Sequence, residues 1–238
     1  TTEAAQQPEA SQQAEAVQPA EAGKPSDSSS ATGAAANAAN ARVTFQFERA
    51  GVMVPQFLLA IDEAGNVSYA AEEMLPQQEG TPTPPTRHVE QKVVVTRETT
   101  SRIFALARAS DRFNLTCASM AKKVADLGRK TLRYSGPDGE GSCTFNFSEN
   151  KNVMELTKLV QGIVRTLDAG RRLEFDHRFD RLGLDQETAA LVEDVDAGRA
   201  LEVGTIGRTL RSIAADPEVL ERVRGRAASL LQRFPPAG

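Results

Sequence analysis

The sequence predicts an α+β protein: a mostly antiparallel sheet packed on a long helix, then a C-terminal cluster of short helices, all preceded by a disordered low-complexity segment. Three observations predict it. Short runs with period-two apolar spacing fill the chain from residue 43 to 148. From Val153 the apolar spacing switches to three and four. Between Thr1 and Arg42 the only large apolar residue is Val17, and there is no aromatic.

That first stretch, rich in Ala, Gln, Glu, Pro and Ser, cannot bury enough apolar surface to offset the entropy of ordering it. Residues 1–42 therefore read as a disordered tether. The remaining ~195 residues suffice for one domain with a helical appendage. They divide into an α+β domain over 43–183 and a helical tail over 184–238.

The first strand is "VTFQFE", with Val43, Phe45 and Phe47 on one face. "PQFLLAID" and "VSYAA" flank "EAGN" and form a hairpin. A loop with Pro76, Pro82, Pro84 and Pro85 follows, where prolines exclude helix, and "HVEQKVVVT" is the next strand. Thr96 or Thr99 caps a short helix carrying Ile103, Phe104 and Leu106. "KKVADL" reads as a strand, and "KTLRYS" and "SCTFNFS" form a second hairpin around a longer Gly-rich turn, "GPDGEG". Val153, Leu156, Val160, Ile163 and Leu167 mark the long helix. It continues toward Leu182 with Leu173, Phe175 and Phe179 on the stripe, Gly170 as a possible break and Gly183 as its stop. Asp185 starts a helix that ends at Gly198. A weaker helix lies in "LEVGTIGRTLRSIAA", and the last opens with Asp216 as N-cap and Pro217 in its first turn.

Composition excludes several function classes. Net charge is −4 with both signs interspersed, which argues against nucleic acid. No apolar run approaches the ~18–20 residues that cross a bilayer. The chain opens without Met inside a low-complexity segment, as a mature exported protein does after loss of a signal peptide. Its two cysteines fit an oxidising compartment, which places the protein in the periplasm, the outer envelope or the secreted space of a bacterium.

Four stretches, "FLLAIDEAGNVSYAA", "ETTSRIFALARASDRFNL", "GRKTLRYS" and "ELTKLVQGIVRTL", resemble an uncharacterised family of small exported bacterial α+β domains, with "HRFDRLGLD" and the tail similar to longer, Acidobacteria-like secreted versions. The resemblance covers roughly residues 43–170. It implies export and the α+β fold and carries no activity. The proline-rich loop departs from its pattern.

Candidate chemistry is sparse. Cys117 and Cys143 lack C-x-x-C spacing, and a zinc site would need both histidines, His88 and His177, from different elements. A structural disulfide is the expectation, with two free buried thiols as the alternative. In "LEFDHRFDR", Glu174 and His177 form one Glu-x-x-His arm of a di-metal site without its second arm, and Asp180 lies beside His177. The plainer expectation is a charged helix face with Asp168–Arg172 and Glu174–Arg178 ion pairs. Asp138 and Glu140 read as hairpin-turn residues, with a weak calcium contact as alternative. Sequons stand at Asn66, Asn114 and Asn146. Arg222, Arg224, Arg226 and Arg233 give the last helix a basic face that suits an anionic membrane or a partner's groove.

The expectation for function is an exported, non-enzymatic binding or scaffolding module without metal or cofactor, whose partner is another envelope protein. Membrane contact would come from an anchor removed from this chain or from the last helix. The alternatives are a hydrolase or metal-dependent enzyme using Glu174, His177 and Asp180, and a membrane-surface or assembly factor using the last helix.

Overall fold

The computed structural model describes residues 40–75, 84–121 and 125–236. Most of the expected tether thus lies outside the described residues. Its last two residues do not behave as tether: Ala41 is buried and Arg42 opens the first strand.

Six strands, β1 (Arg42–Glu48), β2 (Gln56–Asp62), β3 (Asn66–Met74), β4 (Thr86–Val94), β5 (Arg129–Gly136) and β6 (Gly139–Phe145), form one sheet in the order β4-β3-β2-β1-β5-β6. Every neighbouring pair is antiparallel. Side chains alternate between faces, so one face collects Val43, Phe45, Phe57, Leu59, Ile61, Val67, Tyr69, Leu132, Tyr134, Cys143 and Phe145, all buried. The other face carries Ser68, Lys92, Arg133 and Thr144, all exposed, and the half-buried Thr44. The β2–β3 turn closes on its own side chain, because the Asp62 carboxylate accepts from the backbone N–H groups of Ala64 (3.0 Å) and Asn66 (2.9 Å).

The proline-rich segment falls largely outside the described residues, as does the first half of the "KKVADL" stretch, residues 122–124; its described half, Ala125 to Leu127, is not in a strand. The second hairpin turns more tightly than expected. Gly136 pairs with Gly139, so only Pro137 and Asp138 make the turn, and Gly141 lies inside β6. A Cβ at Gly141 would stand 2.4 Å from the Arg112 carbonyl oxygen, so its glycine serves close approach of another segment.

That segment follows α1 (Arg97–Ala109). Asp111, Arg112 and Phe113 all have positive φ (46°, 54° and 72°), an unfavourable left-handed run for residues with a Cβ. Three things hold it. Phe113 is fully buried, the Asn114 side chain donates to the Glu140 carbonyl (2.8 Å), and Cys117 is bridged to Cys143 with a Cα separation of 5.7 Å. The disulfide expected between the only two cysteines is present. Phe147 lies past the end of β6, so only Cys143 and Phe145 of the expected trio share the inward face of that strand.

The long helix α2 (Lys151–Phe179) is capped by the Asn150 side chain and runs unbroken through Gly170. It serves two cores. Val153, Leu156, Val160, Ile163, Val164 and Leu167 join the sheet and α1 in the first. Ala169 and Leu173 join the tail helices α3 (Gly183–Asp196), α4 (Gly207–Ala215) and α5 (Glu221–Arg233) in the second. Gly170 lets the tail approach, since a Cβ there would meet Ile206 Cγ2 at 2.4 Å. Gly183, expected to stop α2, instead opens α3. The final helix starts at Glu221 without a side-chain cap, because Asp216 and Pro217 are spent in a turn before it.

Polar groups fasten the layers. Tyr69 Oη donates to Asp168 (2.8 Å), which also accepts from Arg171 Nη1 (2.8 Å). Burial pushes the Asp168 carboxyl above the usual carboxylate range despite these donors. The expected Asp168–Arg172 pair is thus replaced, and Arg172 instead meets Glu187 across to α3 (3.0 Å). Glu202, at φ 59°, reaches α1: its carboxylate accepts from Thr96 N (2.9 Å), Thr96 Oγ1 (2.6 Å) and Thr99 Oγ1. Thr96 is the residue that caps α1. Lys130 is buried and donates to the carbonyls of Leu127, Gly128 and Asn146, with burial pulling its ammonium below the usual lysine range.

Candidate functional site

The last two turns of α2 extend the face that packs on the sheet. Phe175 and Phe179 follow at a spacing of four, which returns them to one side of the helix, and Leu182 lies in the turn between α2 and α3. Leu173 lies about 200° around from Phe175 at ~100° per residue, so the two cannot share a stripe. Leu173 is buried in the second core, whereas Phe175, Phe179 and Leu182 are 51%, 69% and 86% exposed. This corrects the single stripe expected from the sequence. The two rings lie 5.1 Å apart between centroids.

The opposite side of the same turns faces α4 across an open concavity of about 630 Å³. Glu174, His177, Arg178 and Arg181 line it from α2 and the turn after it, and Arg208, Thr209, Ser212 and Asp216 from α4 and its C-terminus. His177 Nε2 lies 2.9 Å from Asp216 Oδ2. Asp216 also accepts from the Glu218 N–H (2.9 Å), and that bond, followed by His177, holds its carboxyl below the usual range. Arg181 pairs with Glu218, and Glu174 meets Arg178 at 3.6 Å as the sequence suggested.

Glu174 and His177 therefore share a site, but Asp180 does not line it. Asp180 ends α2 and its carboxylate accepts from Gly183 N (3.2 Å). The acid that reaches His177 is Asp216, distant in sequence and read there as a helix cap. No local spacing could have revealed it. Among the described residues no group of three or more His, Cys, Asp or Glu side chains is arranged to hold a metal ion.

Other sequence candidates have structural partners. Asp138 accepts from Tyr134 Oη (2.6 Å) and Arg108 Nε (3.1 Å), and Tyr134 first, with Arg108, holds its carboxyl down to about 2. The side-chain amides of Asn66, Asn114 and Asn146 donate to Asp62, the Glu140 carbonyl and the Ala125 carbonyl. On the last helix, Arg222 and Arg226 both bind Asp185 and hold its carboxyl far below the usual range, while Arg233 binds Asp196 (2.8 Å). Its basic face thus fastens α5 to α3.

No family model matches the chain, and a search of curated proteins finds no match.

Proposed function

We propose that this protein is a non-enzymatic binding or scaffolding module of the bacterial envelope or secreted space, and that its partner is another envelope protein. The observation that carries the reading is the exposed Phe175–Phe179 aromatic pair at the end of α2, with the exposed Leu182 in the turn that follows. Such patches mark interaction sites, and buried aromatics dominate the energy of the interfaces they enter. The Cys117–Cys143 bridge is compatible with an oxidising compartment, and the likeness of residues 43–170 to exported domains supports the same location. The test is site-specific photo-crosslinking of the full chain in an envelope extract. A photoreactive residue at position 179 is expected to give a discrete adduct with another protein, while one at the exposed position 101 on α1 gives none. Equal labelling from both positions, or none from 179, refutes the reading.

A second reading, a hydrolase, draws on one observation: His177 is paired with an acid inside a concavity that also holds the hydroxyls of Thr209 and Ser212. Its test is turnover of activated esters. Activity lost in both His177→Ala and Ser212→Ala, with unchanged thermal stability, supports it; activity that survives both, or no turnover by the intact protein, refutes it.

A further inference from the structure

The sheet has two edges, and β4 is one of them. It spans Thr86–Val94 and pairs with β3 along that whole length. Among the described residues no strand pairs with its other side. A row of unpaired backbone groups of this length is a template for another strand. Its side chains say which strand. Arg87, Val89, Gln91 and Val93 lie opposite Glu73, Ala71, Tyr69 and Val67, hence on the helix-covered face. His88, Glu90, Lys92 and Val94 lie on the open face and are exposed.

We infer that β4 binds β4 of a second copy of this chain, antiparallel and centred on Gln91, joining the two six-stranded sheets into one. Two-fold symmetry sets each residue against its mirror position, and strand alternation allows only registers that keep both helix layers on one face. Centring on Gln91 sets Glu90 opposite Lys92 of the second copy, and Lys92 opposite its Glu90. It sets Val89 against Val93 on the inner face, again twice. The neighbouring registers fail for identifiable reasons. Centring on Glu90 faces that carboxylate with itself and His88 with Lys92. Centring on Lys92 faces two ammonium groups. Centring on Val89 or earlier runs Pro84 and Pro85, which lack an N–H, into the ladder. Centring on Val93 or later leaves only a short overlap.

Two features of the single chain favour the Gln91 register independently. Lys92 makes no ion pair among the described residues. Gln91 Oε1 is buried without a hydrogen-bond partner among them, and the two-fold axis brings a second carboxamide beside it. Opposite charges across a ladder attract and like charges repel, so each charge reversal changes two symmetric pairs at once.

The test is sedimentation equilibrium of the full chain over a wide concentration range. A monomer–dimer equilibrium is expected. Lys92→Glu and Glu90→Lys each raise the dissociation constant about tenfold or more, equivalent to about 1.4 kcal/mol. The double variant, which exchanges the two charges, restores it to within about threefold. Circular dichroism on the same samples separates dissociation from misfolding. A monomer at every concentration overturns the inference. So does a dimer whose affinity is unmoved by the single reversals, or one the exchange fails to restore, since either points to a different surface.

Discussion

The two edges of the sheet are handled in opposite ways. Along β6, the segment from Asp111 to Ser119 lies against the strand, tied by Asn114 to the Glu140 carbonyl, by Ser119 N–H to the Phe147 carbonyl (2.9 Å), and by the disulfide. The protein accepts three consecutive left-handed residues to place that cover. Along β4 there is no comparable cover among the described residues, only alternating charge on the open face. Sealing an edge takes covalent and conformational commitment, while charge alone makes an edge selective. The same contrast recurs within α2, whose sheet-facing side is buried up to Leu167 and exposed at Phe175 and Phe179.

The comparison can be broken most severely at the sealed edge. Replacing both cysteines with serine releases the loop from 117 to 143, and closing a loop of this size contributes about 3.5 kcal/mol in the chain-entropy model. Urea denaturation is expected to show that loss without a change of fold. Gly141→Ala drives a methyl group into the Arg112 carbonyl and is expected to cost about 1–3 kcal/mol, the usual range for overpacking. Thermal melts of the variant check it. A near-zero effect would mean that the segment is not pressed against β6.

Near the open edge, Glu202→Ala removes the acceptor shared by Thr96 and Thr99 at the start of α1. About 1 kcal/mol is expected, the scale of a lost helix cap, with faster amide exchange in the first turn of α1. The smallest effect is one of pH. The Asp138 carboxyl, held at about 2 in the folded chain, has a value near 3.8 in the unfolded one. A depressed carboxyl contributes stability that is full above the unfolded value and fades as pH falls through the folded one. Asp138→Asn is therefore expected to lower the urea midpoint at about pH 5 and to converge on the parent as pH falls below about 2. A difference that persists in acid would mean that hydrogen bonding alone, without the charge, holds the β5–β6 turn.

How much of this was legible in the sequence follows from the range of each signal. Period-two and period-three-to-four spacing are local, so the sheet hairpins and α2 could be read directly from Val43, Phe45, Val153 and Leu156. The disulfide was legible because only two cysteines exist. Asp216 was misread for the same reason that the elements were read well. Its neighbourhood looks like a helix start, and its tertiary partner, His177, leaves no trace in that neighbourhood. Gly139 and Gly141 looked like turn glycines because nothing local announces the chain that presses on Gly141. Phe175 and Phe179 carried the right helical spacing, but the pattern cannot tell a face that meets the sheet from one that extends past its apolar cover.

The difference between the two edges is most directly measured by hydrogen–deuterium exchange at low and high protein concentration. If β4 takes up a second copy while β6 is covered within its own chain, peptides spanning residues 86–95 become more protected as concentration rises, and peptides spanning 139–145 do not change. Protection of β4 that is independent of concentration, or a concentration dependence at β6, would contradict it.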